Sequence, residues 1–170
     1  MKMDNTIINQ FISEFEAEIP ATRKCIERIP EKLFDWKPHE KSMTLGYLTL
    51  LIAEIPMWIT TMIKLREIDF QTFKHFQPKT TSEMVNHFDE NVNGAKQAFQ
   101  ELSVEDLSKP FVLKNGDQIL FSSPLNENIS STLNHWVHHR GQLTVYMRLN
   151  DIPVPSIYGP SADDKSFTAG

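Results

Sequence analysis

The sequence predicts an all-α protein: a four-helix bundle with a small β-hairpin between the third and fourth helices. Three observations carry that prediction. Apolar residues recur at three- and four-residue spacing in four long segments. Gly is scarce, at 6 of 170 residues, while Leu, Ile, Phe and Met are plentiful. Two short β-prone runs flank Asn115-Gly116, a strong hairpin signal. The length suits one domain, residues 1–170, large enough to bury a sizeable core.

The first helix is predicted from about Asn5 to Arg28, with Ile8, Phe11, Phe15 and Ile19 on one face. Pro20 should disturb its middle. Pro30 and the stretch Phe34 to Pro38 break the pattern. The second helix starts near Ser42 or Thr44, either of which can cap it, and reaches about Arg66 with a bend at Pro56. The third opens with Thr80 and Glu83, which fit a capping box, and carries the stripe Met84, Val85, Phe88, Val92, Phe99 and Leu102. The hairpin covers Phe111 to Phe121. The fourth helix covers roughly Asn128 to Asn150. The tail from Ile152 to Pro160 cannot continue a helix and should lie extended across the body.

Composition excludes several classes. The net charge is −5, from 17 basic and 22 acidic residues, which argues against nucleic acid because phosphate binding needs clustered Lys and Arg. The single cysteine, Cys25, excludes an internal disulfide and fits a reducing, cytoplasmic compartment; its place in the first helix predicts a core residue. The N-terminus lacks a basic region followed by an apolar run, so no signal peptide is expected. Leu45 to Ile63 is long enough to span a membrane, but Glu54 and Pro56 interrupt it, and a buried bundle helix is the better reading.

The chemistry concentrates in Asn134 to Leu143. His135 and His139 stand one helical turn apart, with Cβ atoms ~5–6 Å from each other, so both imidazoles can reach one metal ion. A helical projection places His135, His139, Gln142 and Tyr146 in one narrow stripe, extended by Leu149 and flanked by Leu143 and Val145. Arg140, Thr144 and Arg148 fall on the opposite side, so the histidine stripe should look inward. Buried imidazoles must be satisfied, either by a divalent metal or by each other with Gln142, Tyr146 and water. His138, three residues from His135, offers a second pair. His39, His75 and His87 read as solvated residues in loops or on a helix edge. No HExxH, CxxC, glycine-rich phosphate loop or GxSxG is present, and Asp163-Asp164 and Asp89-Glu90 read as solvated surface.

The run His135 to Leu149, followed by Ile152-Pro153-Val154-Pro155 and Tyr158 to Asp163, closely resembles the C-terminal signature of the DinB/YfiT-like superfamily. Trp36-Lys37-Pro38-His39, Lys41 to Gly46 and Ile52-Ala53-Glu54-Ile55-Pro56 resemble its earlier segments, so the likeness spans nearly the whole chain. The resemblance implies a four-helix bundle of up-down-down-up topology, commonly a homodimer. It also implies a zinc or nickel ion held by three histidines, two of which match His135 and His139. The third should stand immediately before Ile52, where this chain has Leu51.

An open metal site wants about three protein ligands plus water, so two imidazoles would hold an ion weakly or not at all. Glu54 is a candidate third ligand, but it lies ~60° from the Leu51 direction; the preferred reading makes it a surface charge or a partner to an Arg or His. The family includes thiol-dependent transferases, in which the metal would activate a small thiol and Gln142 or Tyr146 could orient substrate. Two functions follow as expectations: a metal-dependent transferase or hydrolase with a degenerate site, or a non-catalytic, metal-free bundle that binds a small ligand or serves a structural, stress-related role. For a dimer surface, Leu50, Met57 and Ile63 on the second helix and Leu133 and Val137 on the fourth are the candidates.

Overall fold

The computed structural model describes residues 5–166. Helix α1 spans Thr6–Glu27, α2 Leu45–Leu65, α3 Thr81–Glu101 and α4 Leu125–Leu149. Strand β1 (Glu67–Asp69) follows α2, and β2 (Pro110–Asn115) and β3 (Gln118–Pro124) lie between α3 and α4. The helix boundaries follow local chemistry. Thr44 caps α2 by accepting from the Tyr47 amide, and Thr80 with Glu83 forms the expected capping box on α3. Both α1 and α2 run through their internal prolines, Pro20 and Pro56. The fourth helix begins at Leu125, a few residues before its expected start, directly off β3.

Around the bundle, α2 packs on α3 and α4, and α1 packs on the same two helices, so α1 and α2 sit diagonally. Phe15, Phe88, Phe99 and Trp136 fill the centre, with Phe15 and Trp136 stacked at 5.4 Å and Phe88 6.1 Å from Trp136. Burying each such ring contributes ~1.5–3 kcal/mol. Trp136 Nε1–H donates to the Ile52 carbonyl at 2.9 Å, which satisfies the indole and pins α4 to α2. Cys25 is fully buried, as expected.

The hairpin is the larger part of a three-stranded sheet rather than an isolated unit. β2 and β3 pair antiparallel with Gly116 at positive φ in the turn, while β1 pairs parallel to β2 with Ile68 opposite Leu113. Three residues following a helix carry no periodicity, so β1 had no sequence signature of its own. Arg66, the C-cap of α2, adopts the left-handed conformation that permits this reversal. Its guanidinium is anchored to Asp106 at 2.9 Å and to the Asp106 carbonyl at 3.0 Å.

Among the described residues, Leu45–Leu65 is the one helix long and apolar enough to cross a membrane, and 67% of its most apolar window is buried inside the bundle. Of the candidate dimer-surface residues, Leu50, Ile63 and Leu133 are buried within the chain itself. Only Met57 and Val137 are partly exposed. The apolar excess of α2 is consumed by intramolecular packing.

The inward face of α4 is rotated from the projected one. Its buried residues include Leu125, Ile129, Leu133, Trp136, Leu143 and Met147, and Arg140 is buried with them. His139 lies at the margin of this face, His135, Gln142 and Tyr146 are half-buried, and Val145 and Leu149 are exposed. Arg140 is the reason the projection misleads. Its charge reads as a solvent-facing residue, but Glu18 and Thr22 on α1 and Tyr158 in the tail supply its partners. The tail lies across the body as expected. Arg28 donates to the Pro153 carbonyl, and Tyr158 reaches Glu18 at 2.9 Å.

Candidate functional site: a histidine pair beside an apolar cavity

His135 and His139 stand on consecutive turns of α4 with their Nε2 atoms 2.6 Å apart. The Nδ1 of His139 lies 2.7 Å from Gln142 Oε1, three residues on. A carbonyl oxygen can only accept, so His139 carries its hydrogen on Nδ1 and presents an unprotonated Nε2. The proton between the rings therefore belongs to His135 Nε2, and His135 Nδ1 is left as an acceptor. Burial, then the neighbouring His139 and His138, push the His135 imidazole below its ordinary pKa, which favours its neutral form.

This geometry does not fit the three-histidine metal site that the resemblance implies. Two imidazoles on one tetrahedral ion at ~2.0–2.1 Å hold their nitrogens about 3.3 Å apart. A separation of 2.6 Å is that of a shared hydrogen bond. Leu51, at the position of the expected third ring, is packed in the core. Glu54 is engaged elsewhere: its Oε1 accepts from the Phe76 amide at 2.8 Å, and its Oε2 lies 2.6 Å from His75 Nδ1. Among the described residues, no group of three or more His, Cys, Asp or Glu side chains is placed to hold a metal. The structure thus brings His135, His139 and Gln142 together and leaves Glu54 apart. Tyr146 packs edge-on against Trp36 at 5.6 Å instead of joining the pair.

Glu54 and its histidines depart from the sequence reading. Glu54 is fully buried, so the surface-charge alternative fails and the histidine-partner alternative holds. His75 is drawn to it from the segment between β1 and α3, and His87 Nε2 on α3 sits 4.0 Å away. Neither ring is free in solvent: their side chains are 35% and 16% exposed. The signal was a charged residue inside the most apolar helix, which requires partners wherever they lie in the chain. His39 does lie in an exposed loop, accepting from the Lys41 amide.

His135 also lines a cavity of about 340 Å³ between α2, α4 and the sheet. Its walls include Trp58, Met62, Phe70, Phe111 and Phe121. The Trp58 ring lies 5.8 Å from that of His135, and its buried Nε1 has no hydrogen-bond partner. Sequence reasoning missed Trp58, Phe70 and Phe121 because they meet only when β1 and the hairpin close over the α2–α4 cleft. The arrangement offers an apolar enclosure with one imidazole acceptor and one indole donor.

Residues 1–166 match the DinB family. The chain is 24% identical over 159 residues to YrdA, an uncharacterised protein of Bacillus subtilis, covering 92% of this chain and 91% of that one. Two crystal structures share the fold. The DinB-like protein YjoA of Bacillus subtilis aligns with a TM-score of 0.67 at 20% identity, covering 85% of this chain and 96% of its own. A DinB-like protein of Bacillus cereus aligns with a TM-score of 0.68 at 19% identity, covering 88% and 97%.

Proposed function

We propose, from the premise that the chain belongs to the DinB family, that it is a metal-independent member that binds a small, largely apolar molecule beside His135. One observation carries the reading: the histidine pair is satisfied internally, by one shared proton and Gln142, at the wall of an apolar cavity. Pockets of this kind take a ligand through apolar enclosure, with few polar groups setting orientation. Here His135 Nδ1 would accept from the ligand and Trp58 Nε1 would donate to it. The single buried cysteine suits a reducing, cytoplasmic setting, and a homodimer remains the assembly that the family resemblance implies.

The second reading is a metal-dependent transferase or hydrolase acting on a thiol, with a site degenerate at Leu51. The His-x-x-x-His spacing on α4 favours it. Elemental analysis of untagged protein separates the two. The proposed function expects well under one zinc or nickel per chain. It also expects saturable binding of the fluorophore 1-anilinonaphthalene-8-sulfonate that is lost when Met62→Trp fills the cavity. About one tightly held metal per chain, lost in His135→Ala, would overturn it. A Leu51→His variant that gains nickel affinity would show that one ligand separates the two states.

A further inference from the structure

A second cavity, of about 310 Å³, is lined by Glu54's partner His75 and lies between the start of α2 and the 70–80 segment. Phe34, Leu50, Phe76 and Met84 give it apolar walls, and Tyr47 and His75 line it beside the polar residues Asp35, Thr44 and Gln77. The Tyr47 and His75 rings meet edge to face at 5.6 Å. His75 is fixed from behind. Its Nδ1–H donates to the fully buried Glu54 carboxylate at 2.6 Å, and the Phe76 amide holds the other carboxylate oxygen at 2.8 Å. A carboxylate only accepts, so Nδ1 carries the hydrogen, and in the neutral ring Nε2 is then an acceptor. That Nε2 has no hydrogen bond from the described residues.

We propose that this cavity is a binding site for a neutral aromatic alcohol of the phenol class, whose hydroxyl donates to His75 Nε2 and whose ring lies against Tyr47 and Phe76. The charge pattern selects for neutrality. Asp35 at the rim and a net charge of −5 disfavour an anion. A protonated amine would shed its hydration among apolar walls, and the buried Glu54 carboxylate is already shared by His75 and the Phe76 amide. An apolar ring with a single O–H donor matches the apolar walls and the His75 acceptor together. This site is independent of the cavity beside His135.

The test is an NMR titration of the whole chain with 4-methylphenol, reading the imidazole nitrogens of His75 and His135. Saturable shifts centred on His75 and Tyr47 are expected. The methyl ether 4-methylanisole lacks the donor and should bind about tenfold more weakly, as should 4-methylphenol to His75→Phe. The exposed rim variant Tyr47→Ala should weaken binding severalfold without touching the core, and it carries the test if His75→Phe does not fold. Three results would overturn the proposal: no saturation by ~10 mM ligand, equal affinity for phenol and ether, or shifts centred on His135.

Discussion

Arg140 on α4 reaches Glu18 on α1 with Nη1 2.5 Å from Oε2, and both side chains are almost wholly buried. The same guanidinium also donates to Thr22 Oγ1 at 3.1 Å and to Tyr158 at 2.9 Å, while the Tyr158 hydroxyl donates to Glu18. One charge pair thus joins two helices and the tail. Removing one partner leaves the other charged and dry. Arg140→Ala should cost about 3–5 kcal/mol in urea denaturation. An apolar replacement of both, Arg140→Met with Glu18→Leu, should cost much less than the two single changes summed. Strict additivity in that cycle would show that the pair is not coupled.

Gly46 and Gly141 are both helical, yet substitution should act in opposite directions. A Cβ on Gly46 would stand 2.9 Å from Phe34 Cβ, 3.0 Å from its carbonyl oxygen and 3.1 Å from its Cα. The first turn of α2 is bonded there, Gly46 N to Phe34 O at 2.9 Å, so the backbone cannot retreat cheaply. Gly46→Ala should destabilise by ~1–3 kcal/mol. At Gly141 an added methyl meets nothing within 4 Å. Gly141→Ala should stabilise by roughly 0.5–1 kcal/mol through helix entropy. Thermal unfolding of the two variants checks the signs.

The four helices were legible because each carries its own periodicity and its own start signal, as Thr80 and Glu83 illustrate. Proximity of His135 to His139 was legible because a helix turn places them together whatever the rest of the chain does. Which way α4 faces was not, because Arg140 is apolar-facing only by virtue of Glu18, 122 residues earlier. The same holds for His75, whose partial burial is tied to Glu54 in another element. Local pattern predicts elements and intrahelical neighbours. Charge pairs formed across the fold invert its assignment of inside and outside.

Cys25 should be inert in the native protein. Its thiol is fully buried, and burial pushes its pKa up to about 11 against the opposing pull of Arg140 and Arg28. The thiolate is the reactive species, so a disulfide reagent should modify native protein only as fast as the chain opens. Reaction in denaturant should be immediate and stoichiometric. Rapid modification without denaturant would show that the packing of α1 around Cys25 is looser than described.

The histidine pair makes stability depend on pH with a definite sign. Burial, then His139 and His138, hold the folded pKa of His135 below its ordinary value of about 6.5. The unfolded chain therefore binds that proton more readily than the folded one. Above ~6.5 neither state holds it, and the contribution of the neutral pair is intact. As pH falls below ~6.5 towards the depressed folded value, proton uptake by the unfolded state drains stability. The added proton enters at His135 Nδ1, since Nε2 already carries the hydrogen shared with His139. Urea denaturation at neutral and mildly acidic pH should show this loss, and His135→Asn should show a shallower one. An unchanged slope in the variant would mean that another group titrates in that window and that His135 is not the one being read.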